Sequence, residues 1–265
     1  MLLSYVVILY AQGYKYSFSE GKFFRTGAIS LKVNTDVKVF LDDELEGRTS
    51  FFGNSFSIDR LLPGRYKLSV QKDDYSSWQK TVTVEEGLVI DFPQIMLLPE
   101  EGEEEQKLFD EVYLLFKEIE PIATIEPTPT PRKNSPSPSP KLTQTPYVLN
   151  VKTNKLYQNN DQGLEEIALN VKGFRVSDNE NKLAWWTNNE IWIMWLDDTN
   201  YQPFYKKGDK ELITRFAQTI QNGVWFRDDD HLVLELESRD SKDRPYSIYK
   251  IIEIDKRGGV NIVEL

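Results

Sequence analysis

Between Pro127 and Pro146 the chain reads PTPTPRKNSPSPSPKLTQTP, and no packed core can run through such a stretch. It has too little apolar surface to offset the ordering of its backbone, and its prolines bias it toward extended polyproline II. This run, with the boundaries 122–146, reads as a semi-rigid Pro/Ser/Thr-rich linker. Display of a Pro-rich ligand and a glycosylated stalk are the other readings of the same composition. The 265 residues must then fold as two modest bodies with a spacer between them.

Upstream of the spacer the chain is written in short alternating runs. Ala28–Val33 and Val37–Leu41 alternate apolar and polar residues, which predicts half-buried strands. Asp42-Asp43-Glu44 and Glu46-Gly47-Arg48 carry turn chemistry. Leu62-Pro63-Gly64-Arg65 predicts a turn in which Pro presets φ and Gly supplies a positive φ. Tyr66–Val70 and Trp78–Val84 alternate again on either side of Asp73-Asp74-Tyr75, and Val89–Leu98 closes a small all-β unit over residues 27–99. Over residues 100–121 the period changes. Leu108, Val112, Leu115 and Ile119 recur at three- and four-residue spacing, which predicts one amphipathic helix ended by Pro121. Glu103, Glu104 and Glu105 lie at its start, where the helix dipole favours them. An acidic polar face suits packing on protein better than lying on lipid.

Downstream, over residues 147–265, short strands return with an internal echo. Phe174–Asp178, Lys182–Trp186 and Glu190–Asp197 are answered by Val224–Asp228, His231–Leu234 and Ile248–Asp255. Each copy runs strand, Asp-rich turn, strand, loop, strand ending in Asp, and Tyr147–Val151 with Lys155–Tyr157 matches the tail of such a unit. Repeats of this layout predict antiparallel sheets of the propeller kind. Five of the six Trp lie here. Trp185 and Trp186 are adjacent in a strand, so they face opposite ways and cannot both be core in a sheet buried on one side. Trp185, Trp186 and Trp192 are therefore the candidates for stacking on a ligand, against the plainer reading that they fill a sheet buried on both faces.

Composition removes most chemistry. A formal charge of −10 excludes a general nucleic-acid binder, which needs a basic footprint. With no Cys there is no disulfide, thiolate metal site or thiolate nucleophile, and a single His, His231, removes His-cluster metal sites and most His-based catalysis. Asp228-Asp229-Asp230 before His231 lacks the alternating oxygen ligands and distal carboxylate of a calcium loop, and reads as a turn leading into a strand. No phosphate loop or nucleophile motif is present. No catalytic residue, cofactor or metal ligand is assigned, and the chain reads as a non-enzyme.

The start, MLLSYVVILYA over Met1–Ala11, is uncharged and far shorter than the roughly 18–20 residues that span a bilayer. It lacks a basic leading region, and Leu9 is a poor −3 residue for cleavage after Ala11. Three readings of residues 1–12 stand: the outer end of a membrane helix that begins upstream, a weak signal anchor, or a buried strand. Tyr5, Tyr10, Tyr14 and Tyr16 suit the interfacial belt where a helix leaves lipid.

The upstream β-unit resembles the PEGA family. The resemblance rests on Val39-Phe40-Leu41-Asp42, Gly47-Arg48-Thr49, Leu62-Pro63-Gly64-Arg65-Tyr66 and Tyr75 in that order. Asp42, Gly47, Thr49, Pro63, Gly64, Tyr66 and Tyr75 are thus its structural turn residues. The name-giving tetrapeptide is replaced by Asn34-Thr35-Asp36-Val37, the Asp-Gly turn by Asp42-Asp43, and the Gly before Tyr75 by Asp74. The downstream half is similar to TolB or WD40-like propeller repeats, through the strand, turn at Ser177-Asp178, Ile191-Trp192 strand and Leu196-Asp197. About two and a half units fit before Leu265, whereas closure takes at least four blades, so the expectation is an incomplete propeller or a fragment. The PEGA resemblance implies a small β-sandwich, an extracytoplasmic setting in a bacterial envelope, and a binding or structural role. A cell-wall or surface-layer polysaccharide or an envelope protein is the implied partner, with the membrane engaged through the N-terminal segment. A soluble periplasmic scaffold with a cleaved signal and the non-catalytic part of a propeller-bearing hydrolase are the alternatives.

Overall fold

The computed structural model describes residues 2–50, 53–117 and 146–265. The linker expected at 122–146 lies outside the described residues apart from Pro146, as do Ile119 and Pro121. Helix α1 (Leu2–Ala11) is followed by strands β1 (Tyr14–Ser17), β2 (Lys22–Arg25), β3 (Gly27–Val33), β4 (Lys38–Leu41) and β5 (Glu44–Arg48). Next come β6 (Ser55–Leu61), β7 (Gly64–Gln71), β8 (Trp78–Val84), β9 (Val89–Ile95) and helix α2 (Gly102–Lys117). From residue 147 onward run β10 (Tyr147–Asn150), β11 (Lys155–Asn160), β12 (Gly163–Ala168), β13 (Gly173–Val176), β14 (Lys182–Trp186) and β15 (Glu190–Trp195). The chain ends with β16 (Lys210–Arg215), β17 (Thr219–Trp225), β18 (His231–Arg239), β19 (Pro245–Glu253) and β20 (Ile262–Glu264). The protein is mainly β, with open sheets and two helices among the described residues.

Two compact units divide the chain. The first comprises Met1–Glu111, Thr199–Tyr205 and Ile252–Val263; the second comprises Val112–Asp198, Lys206–Ile251 and Glu264–Leu265. In the first, the sheets β6-β3-β9 and β5-β4-β7-β8 bury one shared core. Alternation does the sorting, because side chains two apart share a face. In β8, Trp78, Lys80, Val82 and Val84 are buried while Gln79, Thr81 and Thr83 are exposed. Ile29, Leu31 and Val33 of β3 and Leu68 and Val70 of β7 meet them in the same cluster. β3 pairs antiparallel with β6 and parallel with β9. Pro93 is tolerated in β9 because that strand is an edge, and the register shifts beside it, where Pro has no N–H to give.

Gly27 opens β3 where the backbone of the β8–β9 connection crosses it. A Cβ there would sit 2.5 Å from Val84 Cγ1 and 2.7 and 2.8 Å from the carbonyl oxygens of Glu85 and Leu88. Gly27→Ala is therefore expected to lower stability by about 1–3 kcal/mol, read as an earlier denaturant midpoint with an unchanged slope.

The turn residues settle into specific jobs. Asp42 and Asp43 adopt φ of 51° and 66°, so they form the two-residue turn of the β4–β5 hairpin where Asp-Gly would be usual. Asp42 also accepts the Lys67 amide at 2.8 Å. Asp74, with φ 66°, stands in the left-handed region just before Tyr75. Thr49 exchanges hydrogen bonds with the Val37 backbone through its hydroxyl and its amide. Gly47 leaves room for the Phe56 ring.

Two turn expectations are corrected. Glu44–Arg48 is the edge strand β5; its alternation is missing because both its faces are largely exposed. Gly64 does not supply a positive φ but starts β7, opposite Val84. The left-handed residue is Arg60, with φ 58°, and the Tyr66 hydroxyl closes the bend by donating to the Leu62 carbonyl at 2.9 Å. Pro63, partly buried, lies inside that closed bend.

The N-terminal run is a helix, which removes the buried-strand reading. α1 is about 15 Å long at 1.5 Å per residue, and no described helix is long and apolar enough to cross a membrane. In α2, Leu108 and Val112 are buried and Leu115 is half-buried, with Glu103, Glu104 and Glu105 in the first turn.

From β10 onward, neighbours in sequence are neighbours in the sheet: β10-β11-β12, β13-β14-β15-β16 and β17-β18-β19-β20. β12, β16 and β20 are strands that the alternation did not announce. Each is a sheet edge whose residues, the buried Ile213 of β16 apart, are partly or fully exposed, so no strict apolar period is imposed on it.

Candidate functional site

The candidate stacking residues lie on β14 and β15 in the second unit. β14 is an interior strand, and all five of its residues are buried. Trp185 and Trp186 point to opposite faces, and both faces are covered. Trp185 joins a core with Tyr147, Leu149, Leu156, Val171, Phe174, Leu183 and Met194. Trp186 lies over Gly223 of β17, where an added Cβ would come within 3.3 Å of its ring. Its indole N–H has no acceptor among the described residues. Trp192 stacks on Trp185 with ring centroids 5.9 Å apart and planes 9° apart, and donates to Glu190 at 3.0 Å. Of the three, only Trp192 keeps open surface.

The acidic run before His231 is a turn built around a buried lysine. Asp228 accepts the amides of Asp230 and His231 at 2.9 and 2.8 Å, and His231 Nδ1 lies 2.9 Å from both of its carboxylate oxygens. Lys182, at the head of β14, donates to Asp229 Oδ2 at 2.9 Å, the Asp229 carbonyl at 2.9 Å and Asp230 Oδ1 at 2.7 Å. Asn179 and Asn181 add their amides to the same Asp229 oxygen at 2.8 and 3.1 Å. Burial opposes ionisation of Asp229, but the bonds from Lys182 and Asn179 outweigh it and hold the carboxyl well below the usual range. For Asp230 burial prevails over Lys182 and pushes the carboxyl up. Among the described residues no group of three or more His, Asp or Glu side chains is placed to hold a metal ion.

A second buried ammonium belongs to the first unit. Lys80, 0% exposed, pairs with Glu253 at 3.1 Å, and Glu253 itself is 5% exposed. Lys80 also donates to the carbonyls of Asp255 and Gly259, the latter at 2.9 Å. Trp78 Nε1 and Asn261 Nδ2 reach the same Glu253 oxygen at 3.0 and 2.8 Å. Gly258, with φ 68°, lets its backbone press against Thr81, where a Cβ would meet backbone atoms at 2.5 Å. Neither lysine stood out in the sequence as a site residue. The available signal was a Lys at an inward position of a strictly alternating strand, Trp78-x-Lys80-x-Val82-x-Val84. Both networks pair a buried ammonium with carboxylates and backbone carbonyls.

Open surface of another kind appears in a cleft of about 870 Å³ within the second unit. Tyr147, Ser177, Met194 and Trp195 are its buried members; Glu165, Glu166, Asp178, Glu180 and Asp197 bring carboxylates, and Lys207 and Lys210 cations. Lys210 donates to the Ile167 carbonyl at 2.8 Å, and Lys155 neutralises Glu166 at 2.7 Å. Burial and then the neighbouring Asp197 push the Tyr147 phenol up.

Another exposed feature is α1. Tyr5, Val7, Ile8 and Tyr10 are all open to solvent, and the helix carries no charge. Against known proteins, no family model matches the chain and no curated protein matches it.

Proposed function

We propose that this chain is a non-catalytic binding or scaffold protein of the bacterial cell envelope, attached to the membrane through its N-terminal segment with its bulk outside. The observation that carries this reading is α1. Tyr5 and Val7 are 62% and 61% exposed in a helix with no charged residue, and a helix apolar on every side is stable only in an apolar surrounding. In this reading the unit at 27–99 is a PEGA-type β-sandwich, and residues 147–265 are propeller-like repeats held off the surface by the Pro-rich spacer. Cell-wall or surface-layer polysaccharide or an envelope protein is the partner. Trp192 and the acceptor-lined cleft are the surfaces available to it. The ordered turn residues from Asp42 to Tyr75 and the repeated strand pattern support the assignment.

The test is flotation of the full chain with lipid vesicles. The intact protein is expected to rise with them, and Val7→Ser with Ile8→Ser to weaken binding by roughly tenfold per residue. Both positions are exposed, so the fold is expected to survive. An intact chain that stays in the aqueous fraction sinks the proposal.

A further inference from the structure

We infer that the β1–β2 hairpin, and not α1 alone, is a lipid-engaging element: Phe18 inserts at its tip while its cations hold anionic headgroups. The inference rests on the membrane reading above and names the surface that meets the bilayer.

The hairpin is a two-stranded sheet of its own, and a two-stranded hairpin is marginal in water without something to cover it. Its base is nevertheless closed, since Thr26 gives both its amide and its hydroxyl to the Gly13 carbonyl at 2.8 Å. Its tip is equally defined. Gly21, with φ 68°, donates to the Ser17 carbonyl at 2.8 Å, and the Ser17 hydroxyl engages Ser19 and the Glu20 amide. This ordered loop holds Phe18 92% exposed, a large apolar group presented rather than tucked away.

An aromatic file runs from α1 to that tip. Tyr10 meets Phe23 edge-on at 6.3 Å, Phe23 meets Tyr16 at 5.1 Å, and Tyr16 meets Phe18 at 5.2 Å. Tyr16 and Phe23 are directly paired across the hairpin. Helix and hairpin therefore form one continuous aromatic surface, the side-chain type that favours the level where acyl chains meet headgroups.

Charge selects the headgroup. Residues 1–26 carry Lys15, Lys22 and Arg25 against a single acid, Glu20, in a chain whose formal charge is −10. The three cations are exposed, with Lys22 over the Phe24 ring at 4.5 Å. An acidic protein approaches an anionic bilayer most favourably through a locally basic stretch, and residues 1–26 place such a stretch beside the aromatic surface.

The experiment uses the full chain with vesicles of phosphatidylcholine alone and of phosphatidylcholine mixed equally with phosphatidylglycerol. The intact protein is expected to prefer the mixed vesicles. Phe18→Ser is expected to weaken binding about tenfold on both. Replacing Lys15, Lys22 and Arg25 together by Gln is expected to abolish the preference, at roughly fivefold per cation. Because the chain has no Cys, Phe18→Cys carrying an environment-sensitive dye reports on the tip alone, and its emission is expected to shift to the blue on the mixed vesicles. Binding of the intact chain that neither set of variants weakens, with an unshifted dye, overturns the hairpin inference and leaves α1 as the attachment. Equal binding to both vesicle types overturns the role of the cations. No binding of the intact chain to either overturns the hairpin inference together with the membrane reading on which it rests.

Discussion

Lys80→Met is expected to destabilise the first unit by about 3–5 kcal/mol, read as a lower denaturant midpoint. Methionine fills nearly the same space but brings no charge and no donor. Glu253 would keep its bonds from Trp78 and Asn261 yet lose the buried ammonium of Lys80 at 3.1 Å. A carboxylate at 5% exposure has little water to replace that partner. The carbonyls of Asp255 and Gly259 would each lose a donor as well, and an unsatisfied buried acceptor costs about 1–3 kcal/mol. Pairing Lys80→Met with Glu253→Gln removes both charges, so the double variant is expected to recover much of the loss. A double variant as unstable as the single one would show that packing, not charge, dominates at this position.

Lys182→Met is the second large effect, expected at about 3 kcal/mol, near the lower end for a broken buried pair. Asp229 and Asp230 are 16% and 18% exposed, so water offsets part of the lost attraction. The local fluorescence of Trp185 and Trp186 makes a convenient readout. The same site gives the second unit a defined response to acid. The Asp229 carboxyl is held below its ordinary value of 3.8, so its contribution is present above that value and is lost as pH falls through its lower folded one. The Asp230 carboxyl is raised, and its sign is opposite: the protonated form is favoured by folding, and that contribution fades as pH rises through its folded value. On acidification Asp230 thus takes its proton first, with a stabilising effect, while the Asp229–Lys182 pair persists into stronger acid. Thermal midpoints measured down the pH scale are expected to fall as Glu190, Asp198 and Asp240, also held below their ordinary values, take their protons, and to keep falling as Asp229 titrates. Asp229→Asn is expected to remove that final limb, and an unchanged limb would count against the assignment.

Much of the strand framework was legible because alternation is a local property. β3, β4, β7 and β8 announced themselves through side chains that must face one way, and β14 and β15 through runs of apolar residues. The β4–β5 turn was legible in place but not in type. Asp42 and Asp43 both take the left-handed conformation, which their short polar side chains tolerate. Some of the strands at sheet edges escaped notice. β5, β12 and β16 have exposed faces and impose no apolar period, so their residues read as turns or loops.

The candidate site divides along the same line. That Trp185 and Trp186 face opposite ways follows from the pleat alone, but whether either meets a ligand depends on what covers β14. The second face is closed over Gly223 of β17, far along the chain. Lys80 could be assigned to the inward face of β8 from its neighbours, yet its ionic partner Glu253 and the backbone around it belong to residues 253–259. Alternation therefore sufficed to say which residues must be buried. Only the tertiary structure could decide how a charge among them is neutralised, because a buried ammonium needs carboxylates and carbonyls within about 3 Å, and sequence spacing carries no information about groups that chain folding brings together.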